Sequence, residues 1–124
     1  MTPKLKATIA KRYETYKAEV LNQIDRMGLQ EWGITFELDD LGDSAGGLVG
    51  ASVRYDFQDL WAEFSYSDNP ALHDGECDPS RDAKHEVAHL LICKLATMAE
   101  YRFITQRELT CAAEEIARRL EKVL

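Results

Sequence analysis

No apolar run in this chain approaches the roughly 20 residues that a bilayer crossing needs. The start, Met1-Thr2-Pro3-Lys4, leads into a charged amphipathic segment with no apolar signal core, so neither a membrane span nor a secretory leader is expected. Positive charge is short as well. Fifteen Lys and Arg against 22 Asp and Glu leave a net charge of −7. Without a basic stripe, a nucleic-acid partner is not expected. Cysteine is scarce: Cys77, Cys93 and Cys111 are odd in number and show no C-x-x-C spacing. That points to reduced thiols in a cytoplasmic setting rather than to a disulfide framework. Repeats and low-complexity tracts are missing. A chain of 124 residues, 45% hydrophobic, makes one domain with one modest core.

What is present reads as helix, strands, helix, helix. Leu5, Ile9, Tyr13, Tyr16, Val20, Ile24 and Met27 recur every three or four residues, the stripe of a long first helix. Thr2 is its cap, Pro3 suits its first position, and Gly28 its exit. Alternation then marks three strands, with Ile34, Phe36 and Leu38 on the first, Ala51, Val53 and Tyr55 on the second, and Ala62, Phe64 and Tyr66 on the third. The short links predict an antiparallel meander. The glycine-rich loop before the second strand lacks a following Lys-Ser or Lys-Thr, so it is a hairpin connection and not a phosphate loop. Residues 67–80 form one long irregular stretch. Asp78 then caps a helix running from about Pro79 to Ala99. Thr105 and Glu108 spell a capping box for the last helix, whose stripe is Leu109, Ala113, Ile116, Leu120 and Val123.

Histidine is scarce too, with three in the chain, and two of them fall in His85-Glu86-Val87-Ala88-His89. This is the H-E-x-x-H spacing of zinc hydrolases. Four residues apart, both imidazoles share one helix face and can reach one metal ion. Glu86 sits on the adjoining flank, where it can deprotonate a metal-bound water. Leu90, Leu91 and Ile92 supply an apolar back for the helix.

A catalytic zinc site needs a third protein ligand. The third histidine, His73, lies upstream, so a carboxylate after the motif is the other standard solution. Glu100, Glu108, Glu114 and Glu115 are the candidates. Glu108 is engaged by its cap, and the helical wheel does not separate Glu114 from Glu115. His73, Glu76 and Cys77 precede the motif helix and could approach the metal or extend the site as a lid. Tyr101 or Arg102 could donate to a developing oxyanion. Cys93 and Cys111 read as small core residues.

In element order the chain resembles the small zincin-like metallopeptidase domains of phage and prophage proteins, minimal gluzincin-type folds. The likeness is strongest over Lys84–Leu95 and Arg102–Leu120. Arg102-Phe103-Ile104-Thr105 matches the family's opening of the last helix, and Glu114 ahead of Ile116-Ala117-Arg118-Arg119 matches its ligand glutamate. The resemblance therefore implies His85, His89 and Glu114 as zinc ligands and Glu86 as the catalytic base. It departs at Arg118, where the thermolysin-like pattern has an aspartate that orients the site.

The sequence thus predicts an α+β minimal zincin that hydrolyses peptide bonds, with a peptide or protein as its partner and Zn²⁺ as its cofactor. The third strand, Trp61 to Ser67, is expected to offer an edge to an extended substrate. The rival from another class is a non-catalytic, zinc-stabilised protein-binding domain of phage origin. Hydrolysis of another amide, such as a peptidoglycan cross-link, is the enzymatic rival. An open metal site beside a cleft separates these from a site closed by His73 or Cys77.

Overall fold

The computed structural model describes residues 1–44, 46–100 and 103–123. Helix α1 spans Pro3–Arg26, with the Leu5 amide donating to Thr2 Oγ1 at 3.1 Å and Pro3 in its first turn. It ends where Gly28 takes φ +66°, a left-handed conformation that a side chain would strain. Five strands follow: β1 (Gly33–Asp39), β2 (Asp43–Ser44), β3 (Gly47–Leu48), β4 (Ala51–Asp56) and β5 (Trp61–Ser67). A 3₁₀ turn over Pro70–His73 leads to α2 (Pro79–Ala99) and then α3 (Gln106–Glu121). Among the described residues, no helix is long and apolar enough to cross a membrane.

The fold is α+β, but the sheet corrects the expected antiparallel meander. Its order is β1-β5-β4, with β1 parallel to β5 and β4 antiparallel to β5. Alternation shows which residues face the core, and it does not name a strand's neighbour. The β4–β5 hairpin forms as expected. Its turn is fixed by Asp56, whose Oδ1 accepts from the amides of Gln58 and Asp59, and by Leu60 at φ +53°. The glycine-rich segment instead closes its own small hairpin, β2 with β3, so β1 and β4 do not pair. The centre goes to β5, the most buried strand, where Ala62 and Phe64 are fully enclosed and Tyr66 nearly so. The expectation that β5 offers a free edge is therefore overturned: the edges of this sheet are β1 and β4.

The core lies between the sheet and the helices. Tyr16, Val20 and Ile24 of α1 meet Phe64 and Tyr66 of β5 and Val87, Leu90 and Leu91 of α2. Each large apolar side chain so enclosed contributes about 1.5–3 kcal/mol. Two sequence assignments shift. Ala112, not Ala113, is the buried alanine of α3, and Cys111 is exposed while Cys93 is core. Burial pushes the Cys93 thiol up to about 11, so it stays protonated and inert.

Helix α3 docks through charge as much as through apolar contact. Arg119 Nη1 donates to the carbonyls of Met27, at 2.9 Å, and of Gly28, closing the end of α1. Glu115 accepts from Lys94 Nζ at 3.1 Å and from Arg119 Nη2 at 3.2 Å. Burial alone would raise the Glu115 carboxyl, but these two cations outweigh it and hold it below its ordinary value. A lowered carboxyl stabilises the fold above its unfolded value of 4.5 and loses that contribution as pH falls through the folded value. Glu115→Ala should therefore cost about 1 kcal/mol at neutral pH, given the pair's partial exposure. Urea denaturation at pH 7 and at pH 3 checks this. The gap between wild type and variant should shrink at pH 3, and an equal gap at both would mean the loss is packing, not charge.

Candidate metal and hydrolytic site

Asp78 starts the motif helix, its Oδ1 accepting from the Arg81 amide at 3.0 Å, with Pro79 following. Val87, Leu90 and Leu91 anchor one side of α2 in the core. The 3.6-residue period then turns His85 and His89 outward, one turn apart, on the exposed face that also carries Ile92. Their Nε2 atoms converge to 3.1 Å, with ring centroids 4.7 Å apart and ring planes at 81°. Two nitrogens bound to one tetrahedral zinc at about 2.0–2.1 Å stand roughly 3.3–3.4 Å apart. The separation of the pair is close to that spacing.

Glu86 lies on the adjoining flank of α2. It is 7% exposed, and no hydrogen bond or ion pair engages its side chain among the described residues. Burial raises its carboxyl above the ordinary value, against the nearby imidazoles of His89 and His85 that lower it. Glu86 and His89 share the wall of an open groove of about 400 Å³ with Ala51, Ser52, Val53 and Tyr55. Those last four belong to β4, so the groove runs between the motif helix and a sheet edge. The sequence had assigned that edge to β5. The residues of β4 carried no signal beyond alternation.

The third ligand is not assembled. Among the described residues, no third His, Cys, Asp or Glu joins His85 and His89 in a group able to hold a metal. The reason lies in the helix faces. Helix α3 packs against Leu90, Leu91 and Lys94 through Ala112, Glu115 and Ile116, away from the histidine face. Glu115 is held by Lys94 and Arg119, and Glu108 by the hydroxyl of Thr105 at 3.0 Å. Glu114 is exposed, with no side-chain hydrogen bond or ion pair among the described residues. Tyr101 and Arg102 lie outside the described residues.

His73 and Cys77 form a separate cluster. His73 is 6% exposed, and its Nε2 lies 2.8 Å from the Ser67 carbonyl, so that nitrogen carries the proton. Its Nδ1 then accepts from Arg12 Nη1 at 3.0 Å, since a guanidinium can only donate. The same nitrogen of Arg12 reaches Cys77 Sγ at 3.2 Å, Arg12 Nη2 donates to the Gly75 carbonyl at 2.8 Å, and Cys77 Sγ donates to the Leu72 carbonyl at 3.1 Å. Both ring nitrogens of His73 are committed, which explains why it neither blocks nor extends the histidine pair. Arg12 was invisible to sequence reasoning, because one arginine on an amphipathic helix carries no partner information. The chain matches no protein-family model, no curated protein and no solved structure.

Proposed function

We propose that this chain is a zinc-dependent peptidase of the minimal zincin type, with His85 and His89 as metal ligands and Glu86 as its general base. One observation carries the reading: two converged imidazoles stand beside a buried, unpaired carboxylate on a groove that follows a sheet edge. Bound at the imidazoles, zinc would polarise the scissile carbonyl and acidify water. Glu86 takes the proton of the attacking water and delivers it to the leaving amine. Its low-polarity surroundings raise its basicity, which suits that double role. The free backbone groups along β4 pair with an extended substrate and align the scissile bond with the groove.

The rival is a zinc-stabilised binding domain without chemistry, and it needs a metal site closed by His73 or Cys77. The commitment of both to Arg12 favours the open, catalytic reading. A library of unstructured peptides, incubated with zinc-loaded protein and with chelator-treated protein, tests the proposal. Cleavage confined to the loaded protein is expected. A fully zinc-loaded protein that leaves the library intact would favour the binding domain.

Glu114 is the third ligand in this reading, through the family register and its lack of any other partner. To reach the histidines, α3 has to turn its exposed flank toward them. Glu114→Ala should weaken zinc binding at least tenfold, while Glu115→Ala should keep zinc and lose stability. Competition with a zinc-binding dye measures both. The reverse ranking would move the ligand by one residue, and unchanged affinity in both would remove α3 as its source.

A further inference from the structure

The three thiols stand in three settings. Cys93 is core, and its proton stays on. Cys111 is exposed on α3, and no hydrogen bond reaches its side chain among the described residues. Cys77 is half-buried, and its sulfur faces a guanidinium, with Arg12 Nη1 3.2 Å from Sγ. The other acceptors of Arg12 are His73 Nδ1, at 3.0 Å, and the Gly75 carbonyl, at 2.8 Å. No carboxylate pairs with this guanidinium among the described residues, so the sulfur is the one contact able to take up negative charge.

Cys77 opens onto a cavity of about 270 Å³ that it shares with Tyr66, Leu72, His73, Asp78 and Asp82. Tyr66 points independently to a guest in this space. It is 2% exposed, yet its hydroxyl makes no hydrogen bond among the described residues. That hydroxyl is not sealed in, as the Tyr16 hydroxyl is, so it can donate into the cavity. Burial, with Cys77 and Asp82 adding to it, pushes the phenol up to about 12, so it is a neutral donor at pH 7. Two carboxyl groups at one cavity repel an anion, which leaves a small neutral molecule as the guest.

We propose that Cys77 is a modification site for neutral hydroperoxides, which enter this cavity and oxidise its sulfur to the sulfenic acid. The sulfur's electron pair bonds to the peroxide's OH oxygen while the O–O bond breaks. That oxygen keeps its hydrogen and stays on sulfur. The departing oxygen takes the proton that the thiol gives up and leaves as an alcohol, or as water from hydrogen peroxide. Sulfur loses two electrons and the peroxide gains them. Arg12 stabilises the negative charge that builds on sulfur as its proton leaves, and the Tyr66 hydroxyl donates to the departing oxygen. Exposure alone would rank Cys111 first, whereas these surroundings rank Cys77 first. Neither zinc nor peptidase activity enters this inference.

Metal-free protein at pH 7, treated with hydrogen peroxide in the presence of dimedone to trap sulfenic acid, tests it. Mass spectrometry of the cysteine-bearing peptides reads each site. Cys77 is expected to label about tenfold or more faster than Cys111, and Cys93 to stay unlabelled over that time. Faster or equal labelling of Cys111 would overturn the proposal. Urea should abolish the preference, and a preference that survives unfolding would trace it to the local sequence and overturn it too. Arg12→Gln should bring Cys77 down to the rate of Cys111, and an unchanged rate would refute the role of the guanidinium. Tyr66→Phe breaks no hydrogen bond and supplies a second variant should Arg12→Gln fail to fold. It should slow oxidation by peroxide and leave alkylation of Cys77 by iodoacetamide unchanged, since departing iodide needs no proton. Equal slowing of both reactions, or of neither, would remove the cavity from the chemistry and overturn the proposal.

Discussion

Purified protein should carry about one zinc ion per chain, and His85→Ala or His89→Ala should each remove it. The expectation follows from geometry. In the proposed reading, the pair of Nε2 atoms 3.1 Å apart on an exposed helix face would supply half of a tetrahedral shell. Losing even a group that only orients a ligand costs about 10–100-fold in metal affinity, so losing a ligand should cost more than 100-fold. Elemental analysis after gel filtration reads the stoichiometry. Thermal unfolding gives an independent check, because an ion that binds only the folded state raises stability by about 2.7 kcal/mol at a hundred times its Kd. That rise should vanish in both variants. Neither histidine packs in the core, so the metal-free variants should unfold like metal-free wild type. Full zinc occupancy in the His85→Ala, His89→Ala double variant would place the metal elsewhere and end the reading.

The helices were legible because their ends are chemical. Thr2, Asp78 and Thr105 each accept from a backbone amide of the first turn, as short polar side chains before an apolar stripe lead one to expect. The H-E-x-x-H motif was legible for the same reason: a helix period alone forces His85 and His89 onto one face. Partner identity was not legible. Strand β5 carries the alternation of an edge strand and sits in the middle of the sheet, since neighbour choice depends on how the whole chain packs. The same limit applies to α3. Its stripe shows that it docks, but its rotation is set by Arg119 reaching back to the carbonyls at the end of α1, a contact across about three-quarters of the chain. That rotation sets Glu115 against Lys94 and Arg119 and leaves Glu114 exposed, which the helical wheel could not tell. Tyr16 stood in the first stripe as one more core residue. Only the folded chain shows its hydroxyl enclosed and without a hydrogen-bond partner among the described residues.

Glu86→Gln should keep both the fold and the zinc, yet lose turnover. The amide has nearly the size of the carboxylate, so the contacts around Val87 and Leu90 persist and the two imidazoles still converge. What it lacks is a lone pair basic enough to accept the proton of the attacking water. Positioned general-base catalysis is worth about 10²–10⁴-fold in rate, and the same residue also returns the proton to the amine, so the loss should reach the upper part of that range. The fold should become more stable in metal-free protein near neutral pH. Burial raises the Glu86 carboxyl, so its charged form opposes folding once pH exceeds the folded value, and an amide carries no such penalty. Wild type and Glu86→Gln run side by side on one peptide library settle the chemistry. Cleavage by wild type alone, at equal zinc content, assigns the base. Equal cleavage by both would trace the activity to a contaminating protease, and zinc loss in the variant would instead make Glu86 a ligand.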